Sequence, residues 1–201
     1  RLVEIYSCWG SSEYVGDFPR GVSDRYDDLS VQKAFERGLE FGLMASSDGH
    51  DGHSGNAQSP LIKHHHQFHF CGSGRIAVFS EELTRANIYE ALYNRRCYAT
   101  TGPPIILDFR IDNALMGSNI ISYMNPVLKI TCTGTNGLAQ VRIIKNGKNA
   151  AVFPLTGERR CNIEWRDENF VSGEKAGYYV RVVQVDMESA WSSPIWCYKE
   201  R

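Results

Sequence analysis

No stretch of this chain approaches the roughly 20 consecutive apolar residues that cross a bilayer as a helix. The start, Arg1-Leu2-Val3-Glu4, has none of the features of a signal peptide. There is no excess of positive charge either: 22 Lys and Arg stand against 23 Asp and Glu, a formal net charge of −1, so bulk electrostatics do not hold this chain on nucleic acid. The six cysteines, Cys8, Cys71, Cys97, Cys132, Cys161 and Cys197, form no C-x-x-C pair, which removes the signature of a zinc ribbon or dithiol redox motif. They read mostly as small buried hydrophobes. A disulfide between neighbouring strands, for example Cys132 with Cys161 or Cys197, is compatible with the sequence and leaves the compartment open. No internal repeat is present. A chain that begins on Arg1 with an immediate strand-like run is expected to be the later part of something longer.

What is present is an ordinary globular composition, 42% hydrophobic and 22% charged over 201 residues, enough for one large or two small domains. Leu2-Val3-Glu4-Ile5-Tyr6-Ser7 is β-branched and aromatic enough for a buried strand. Residues 14–29 carry no period and read as an irregular excursion. Ser30 is placed to cap a helix with Val31, Ala34, Phe35 and Leu39 on one face and Gly42 near its end, after which residues 41–47 deliver another strand. Residues 74–79 read as a strand, and Ser80-Glu81-Glu82-Leu83-Thr84 opens a helix through Ala86, Ile88, Leu92 and Tyr93. Strand, helix, strand with polar strand ends is the parallel α/β pattern.

From Pro104 the period changes to two. Strands are expected over residues 105–111, 128–132, 141–144, 161–165 and 178–185, the spacing of a β-sandwich. Asn146-Gly147 between apolar runs is a hairpin signal, and a last strand follows Pro194, which places its start on an edge. Trp165, Trp191 and Trp196 read as packing of that sandwich rather than as a sugar-stacking platform.

The densest chemistry lies in Ser46-Ser47-Asp48-Gly49-His50-Asp51-Gly52-His53, with two carboxylates and two imidazoles in six residues. Carboxylate oxygen and imidazole nitrogen together suit Zn, Mn or Fe. In an extended chain Asp48 and His50 share a face, because side chains at i and i+2 point the same way. The competing reading is a solvated polar turn. Residues 64–69 add four histidines in six residues, read by default as a solvated loop.

Four blocks in order, Val3-Glu4-Ile5-Tyr6-Ser7 with Gly10-Ser11-Ser12-Glu13, then Ser46 to His53, then Arg96-Cys97-Tyr98-Ala99-Thr100-Thr101-Gly102, then Ala190-Trp191-Ser192-Ser193-Pro194-Ile195-Trp196, resemble the carboxyl half of metallohydrolases of the polymerase and histidinol phosphatase (PHP) superfamily. The similar branch is one in which an all-β domain follows the barrel. The resemblance implies an α/β fold followed by all-β: part of a distorted β/α barrel over residues 1–103 and an immunoglobulin-like β-sandwich over residues 104–201. It also implies two or three divalent ions in the complete protein, whose bound water would be acidified for phosphoester hydrolysis. Asp48 and His50 correspond to the last metal-binding block and are the first-choice ligands and catalytic residues. Asp51 and His53 would support them or touch substrate. Glu4 would join the metal set and Glu13 the substrate contacts, both looking into the same rim. Arg96 would grip a phosphate or carboxylate, whereas Arg95 reads as an answer to a helix dipole.

The amino-terminal ligand blocks of that superfamily are absent here, and Cys8-Trp9 stands where many relatives carry a histidine. Cys8 reads as a structural thiol before a ligand. The chain is therefore expected to be the carboxyl-terminal portion of a metal-dependent hydrolase, with an incomplete site of its own, acting on a small-molecule phosphoester. Missing barrel strands would leave edges for a second copy of the chain, or a repacked fold, to cover. The rivals are a non-catalytic interaction module, in which the Asp/His loop is a remnant, and a metal-dependent carboxylic esterase or amidase.

Overall fold

A computed structural model describes residues 1–7, 9–16, 29–48 and 74–200. Their elements run β1 (Leu2–Ser7), β2 (Gly10–Ser11), α1 (Val31–Glu36), β3 (Gly42–Ala45), β4 (Arg75–Val78), α2 (Arg85–Tyr93), β5 (Cys97–Thr100), β6 (Ile106–Ile111), β7 (Ala114–Leu115) and β8 (Asn119–Ser122). There follow β9 (Val127–Thr133), β10 (Leu138–Lys145), β11 (Lys148–Pro154), β12 (Arg160–Arg166), β13 (Lys175–Gln184), β14 (Ser189–Ser192) and β15 (Ile195–Lys199).

The architecture is set by β13, whose residues after Lys175 are all buried. An unbroken buried strand must be covered on both faces. Tyr178, Val180 and Val182 enter one core, shared with Leu107, Phe109, Leu128 and Ile130 of the four-stranded sheet β12-β9-β6-β7. Tyr179, on the opposite pleat, enters a second core with Ile5, Phe35, Leu43 and Trp191. The eight-stranded sheet that holds β13, ordered β11-β10-β13-β14-β5-β4 with β15 bridging β13 and β8, is thus the middle layer. The four-stranded sheet closes a β-sandwich on one side. The small sheet β2-β1-β3, with α1, covers the other.

This corrects the expected α/β class: the described residues are nearly all β, with two short helices and no β/α barrel among them. The turn after α2 shows why. Arg95 adopts a left-handed backbone (φ 60), the chain reverses, and β5 returns antiparallel to β4 where a barrel needs a parallel crossover. β5 then pairs with β14, so strands on both sides of residue 103 belong to one sheet. Only β1–β3 and β8–β15 pair in parallel among the described residues. Barrel edges for a second copy to cover do not arise there.

Local signals hold more closely. Ser30 Oγ accepts from the Lys33 N–H (3.3 Å) and caps α1, burying Val31 and Phe35. The helix stops sooner than its apolar spacing suggests, because Gly38 turns left-handed (φ 77) and leaves Leu39 54% exposed. α2 is capped by Thr84, the last residue of the run expected to open it. Pro194 does not start an edge strand: β15 has β13 on one side and β8 on the other. Trp191 and Trp196 are buried, consistent with packing.

Asn146-Gly147 does form the tight hairpin joining β10 and β11, with both residues at positive φ (50 and 79). A Cβ on Gly147 would stand 2.3 Å from the Gln32 carbonyl oxygen of α1. Gly147→Ala is therefore expected to cost about 2 kcal/mol or more, combining left-handed strain with the collision. A urea titration reads this directly, and a shift below about 0.5 kcal/mol would contradict the close packing of this turn.

Candidate functional site

The carboxyl end of β3 meets β1 in a parallel pair, with Glu4 opposite Met44 and a register shift before Tyr6 opposite Ala45. The Tyr6 carbonyl accepts from the Ser46 N–H (3.2 Å), which holds the chain leaving β3 beside β1. Ser46 Oγ donates to the exposed Glu4 carboxylate and accepts from the Asp48 N–H (3.3 Å). Asp48 itself sits in a left-handed conformation (φ 49), which Asp tolerates better than most residues. Glu4, Ser46 and Asp48 therefore form one hydrogen-bonded run at a common rim. His50, Asp51 and His53, together with Cys8 and residues 64–69, lie outside the described residues. Among the described residues no three His, Cys, Asp or Glu side chains gather at metal-binding distance.

Glu13 is not at that rim, contrary to the expectation of a substrate contact. It is 1% exposed, between the middle layer and the small sheet. Its Oε1 accepts from the Tyr179 hydroxyl (2.7 Å). Its Oε2 accepts from Arg181 Nη1 (2.9 Å) and Trp191 Nε1 (2.8 Å). Burial, then the neighbouring Glu13 charge, pushes the Tyr179 hydroxyl well above the usual phenol range and keeps it a donor. This arrangement is a structural clamp: a buried ion pair whose charges are answered at once by each other and by neutral donors.

The arginines also depart from expectation. Arg96, half-exposed, forms a long ion pair with Glu90 of α2 (3.4 Å). Arg95, read as a dipole partner, is buried. Its Nε donates to the Gly117 carbonyl (3.1 Å), Nη2 donates to Asn119 Oδ1 (2.8 Å), and its guanidinium lies over Trp196 (4.7 Å to the ring centre). Burial, then the charge of Arg1, draws Arg95 below its usual value while its side chain ties the end of α2 to β8.

A cleft of about 710 Å³ that sequence patterning did not mark lies between α1 and the β10–β11 turn, lined by Phe35, Glu36, Lys145, Lys148, Asn149 and Lys175. Lys145 is held by Asp167 (2.8 Å) and Glu174 (2.7 Å), and Lys175 pairs with Glu40, so much of its positive charge is already answered. These residues come from three distant segments, which hides the grouping from a linear reading.

The fold defines a layered β protein in which the Glu4 carboxylate and the Asp48 backbone meet at Ser46, beyond the end of β3. Residues 56–118 match the model of a family described as protein of unknown function (DUF3604). Uncharacterized proteins of Chlamydia pneumoniae, Chlamydia muridarum and Chlamydia trachomatis are 34%, 33% and 32% identical to it over 98% of the chain. The chain spans about a third of the length of these relatives, 34% in each case. Among solved structures, a fibronectin(III)-like module of Clostridium thermocellum CbhA aligns with 47% of this chain and 96% of its own at 19% identity, with a TM-score of 0.31.

Proposed function

We propose that the polypeptide carrying this chain is a metal-dependent hydrolase acting on phosphoesters, with Glu4, Asp48 and His50 among the donors of a divalent-cation site. The observation that carries this reading is the hydrogen-bonded run Glu4–Ser46–Asp48 at the carboxyl end of the parallel β1–β3 pair. A ligating carboxylate is commonly oriented by a hydroxyl or amide behind it, and Ser46 has that relation to Glu4. Oxygen donors with an imidazole suit Zn, Mn or Fe. A bound cation would supply Lewis acidity toward water and phosphoryl oxygen. The chain's own contribution is to orient the Glu4 carboxylate through Ser46, whose hydroxyl also holds the backbone of the left-handed turn at Asp48.

Asp48→Ala is expected to weaken Mn²⁺ or Zn²⁺ affinity, followed by isothermal titration, by about 10- to 100-fold. Phosphoester turnover by the full-length polypeptide is expected to fall at least as much. Unchanged turnover and unchanged affinity would overturn the hydrolase reading and favour a non-catalytic interaction module. Carboxylic esters assayed beside phosphate esters separate an esterase or amidase from a phosphoesterase.

A further inference from the structure

β9 and β12 pair without a register shift from Val127 opposite Arg166 to Thr133 opposite Arg160, and this sets Cys132 directly opposite Cys161. The Asp167 N–H donates to the Pro126 carbonyl and the Gly134 N–H to the Arg159 carbonyl. By alternation Cys132 and Cys161 are then a hydrogen-bonded pair, with Cα atoms about 5.5 Å apart. Disulfides span Cα separations of about 4.4–6.8 Å. Both side chains pack in the sandwich core, Cys132 within it and Cys161 against it. Cys132 is fully buried, whereas Cys161 is half-buried on β12, an edge strand that a small reagent can approach. Cys97 and Cys197 lie on β5 and β15 of the other sheet, so among the described residues no other two cysteines stand opposite each other.

We propose that Cys132 and Cys161 are a thiol oxidation site: a small-molecule disulfide such as oxidised glutathione converts them into a cross-strand disulfide tying β12 to β9. The neighbouring Cys132 side chain draws the Cys161 thiol below its usual range against the effect of burial, while Cys161 and burial push Cys132 up. Cys161 is therefore the attacking thiolate. It attacks one sulfur of the glutathione disulfide and expels a glutathione thiolate, leaving a mixed disulfide. Cys132 gives its proton to solvent and attacks Cys161 Sγ, forming the Sγ–Sγ bond and expelling the second glutathione thiolate. The protein loses two electrons and two protons, and one oxidised glutathione becomes two reduced ones.

The test is to equilibrate the chain with oxidised glutathione near pH 8, alkylate the remaining thiols, digest without reduction and sequence by mass spectrometry. The expected product is a peptide pair joining Cys132 to Cys161, released by excess reduced glutathione, absent in Cys161→Ser and retained in Cys97→Ser. Cys161→Val serves the same purpose if the serine variant loses its far-ultraviolet dichroism. In wild-type protein a lasting glutathione adduct on Cys161, alkylation of both thiols, or a link from either to Cys8 or Cys71 overturns the proposal.

Discussion

Glu13→Ala is expected to lower the stability of this chain by about 3–5 kcal/mol, the usual consequence of breaking a buried ion pair by removing one partner. The substitution takes the Glu13 carboxylate from Arg181, which is 4% exposed, and also takes the acceptor from the Tyr179 hydroxyl and the Trp191 indole N–H. These donors belong to the middle layer and the acceptor to the loop that follows β2, so the loss falls on the contact between layers. Urea unfolding of the single and double variants at Glu13 and Arg181 measures this, with a coupling energy of about 0.5–3 kcal/mol between the two sites. A loss of less than about 1 kcal/mol for Glu13→Ala would show that the clamp does not hold the layers together.

The second large effect lies on the opposite face of β13. Asp167 is buried, and its Oδ2 accepts from the Tyr178 hydroxyl (2.7 Å) and Lys145 Nζ (2.8 Å), while Oδ1 accepts from the Asn169 N–H (3.0 Å). Burial raises the Asp167 pKa, but the bonds from Lys145 and Tyr178 outweigh it and hold the carboxyl below its ordinary range. Burial likewise lowers Lys145, and Asp167 with Glu174 outweighs it, leaving the ammonium above its usual value. A depressed carboxyl pKa adds stability that is present above the unfolded value of about 3.9 and is lost as pH falls through the folded value. A raised lysine adds stability that is present below about 10.4 and is lost as pH rises through the folded value. The denaturation midpoint is thus expected to decline below about pH 4, and Asp167→Asn to flatten that acid limb. Asp167→Ala should cost about 3 kcal/mol at neutral pH, because Tyr178 and the Asn169 N–H lose their acceptor while Lys145 keeps Glu174. An unchanged acid limb in Asp167→Asn would assign acid sensitivity to other carboxylates.

Features encoded within a few residues were legible in sequence. The capping hydroxyl of Ser30, the Asn146-Gly147 turn, and the alternation along β9 and β12 are each stated by neighbours on the chain. β5 was not legible: Cys97–Thr100 follows a basic helix end and reads as a connection, yet all four residues are buried by strands far along the chain. The same holds for the candidate rim. The density of Asp and His at residues 48–53 was visible, but the tie from Glu4 through Ser46 depends on parallel pairing across 42 residues.

Sequence by itself determined that this chain is rich in strands, where most of them run and which turns join them, since side-chain period and turn chemistry are local properties. Tertiary structure alone decided that those strands form three layers and not a barrel followed by a sandwich. The apolar run in β13 states that both faces are covered but not by what, and Arg181 within it finds Glu13 at a separation of 168 residues. A carboxylate that the resemblance made a substrate contact stands in a clamp because burial and counter-charge are supplied by a layer no local pattern announces.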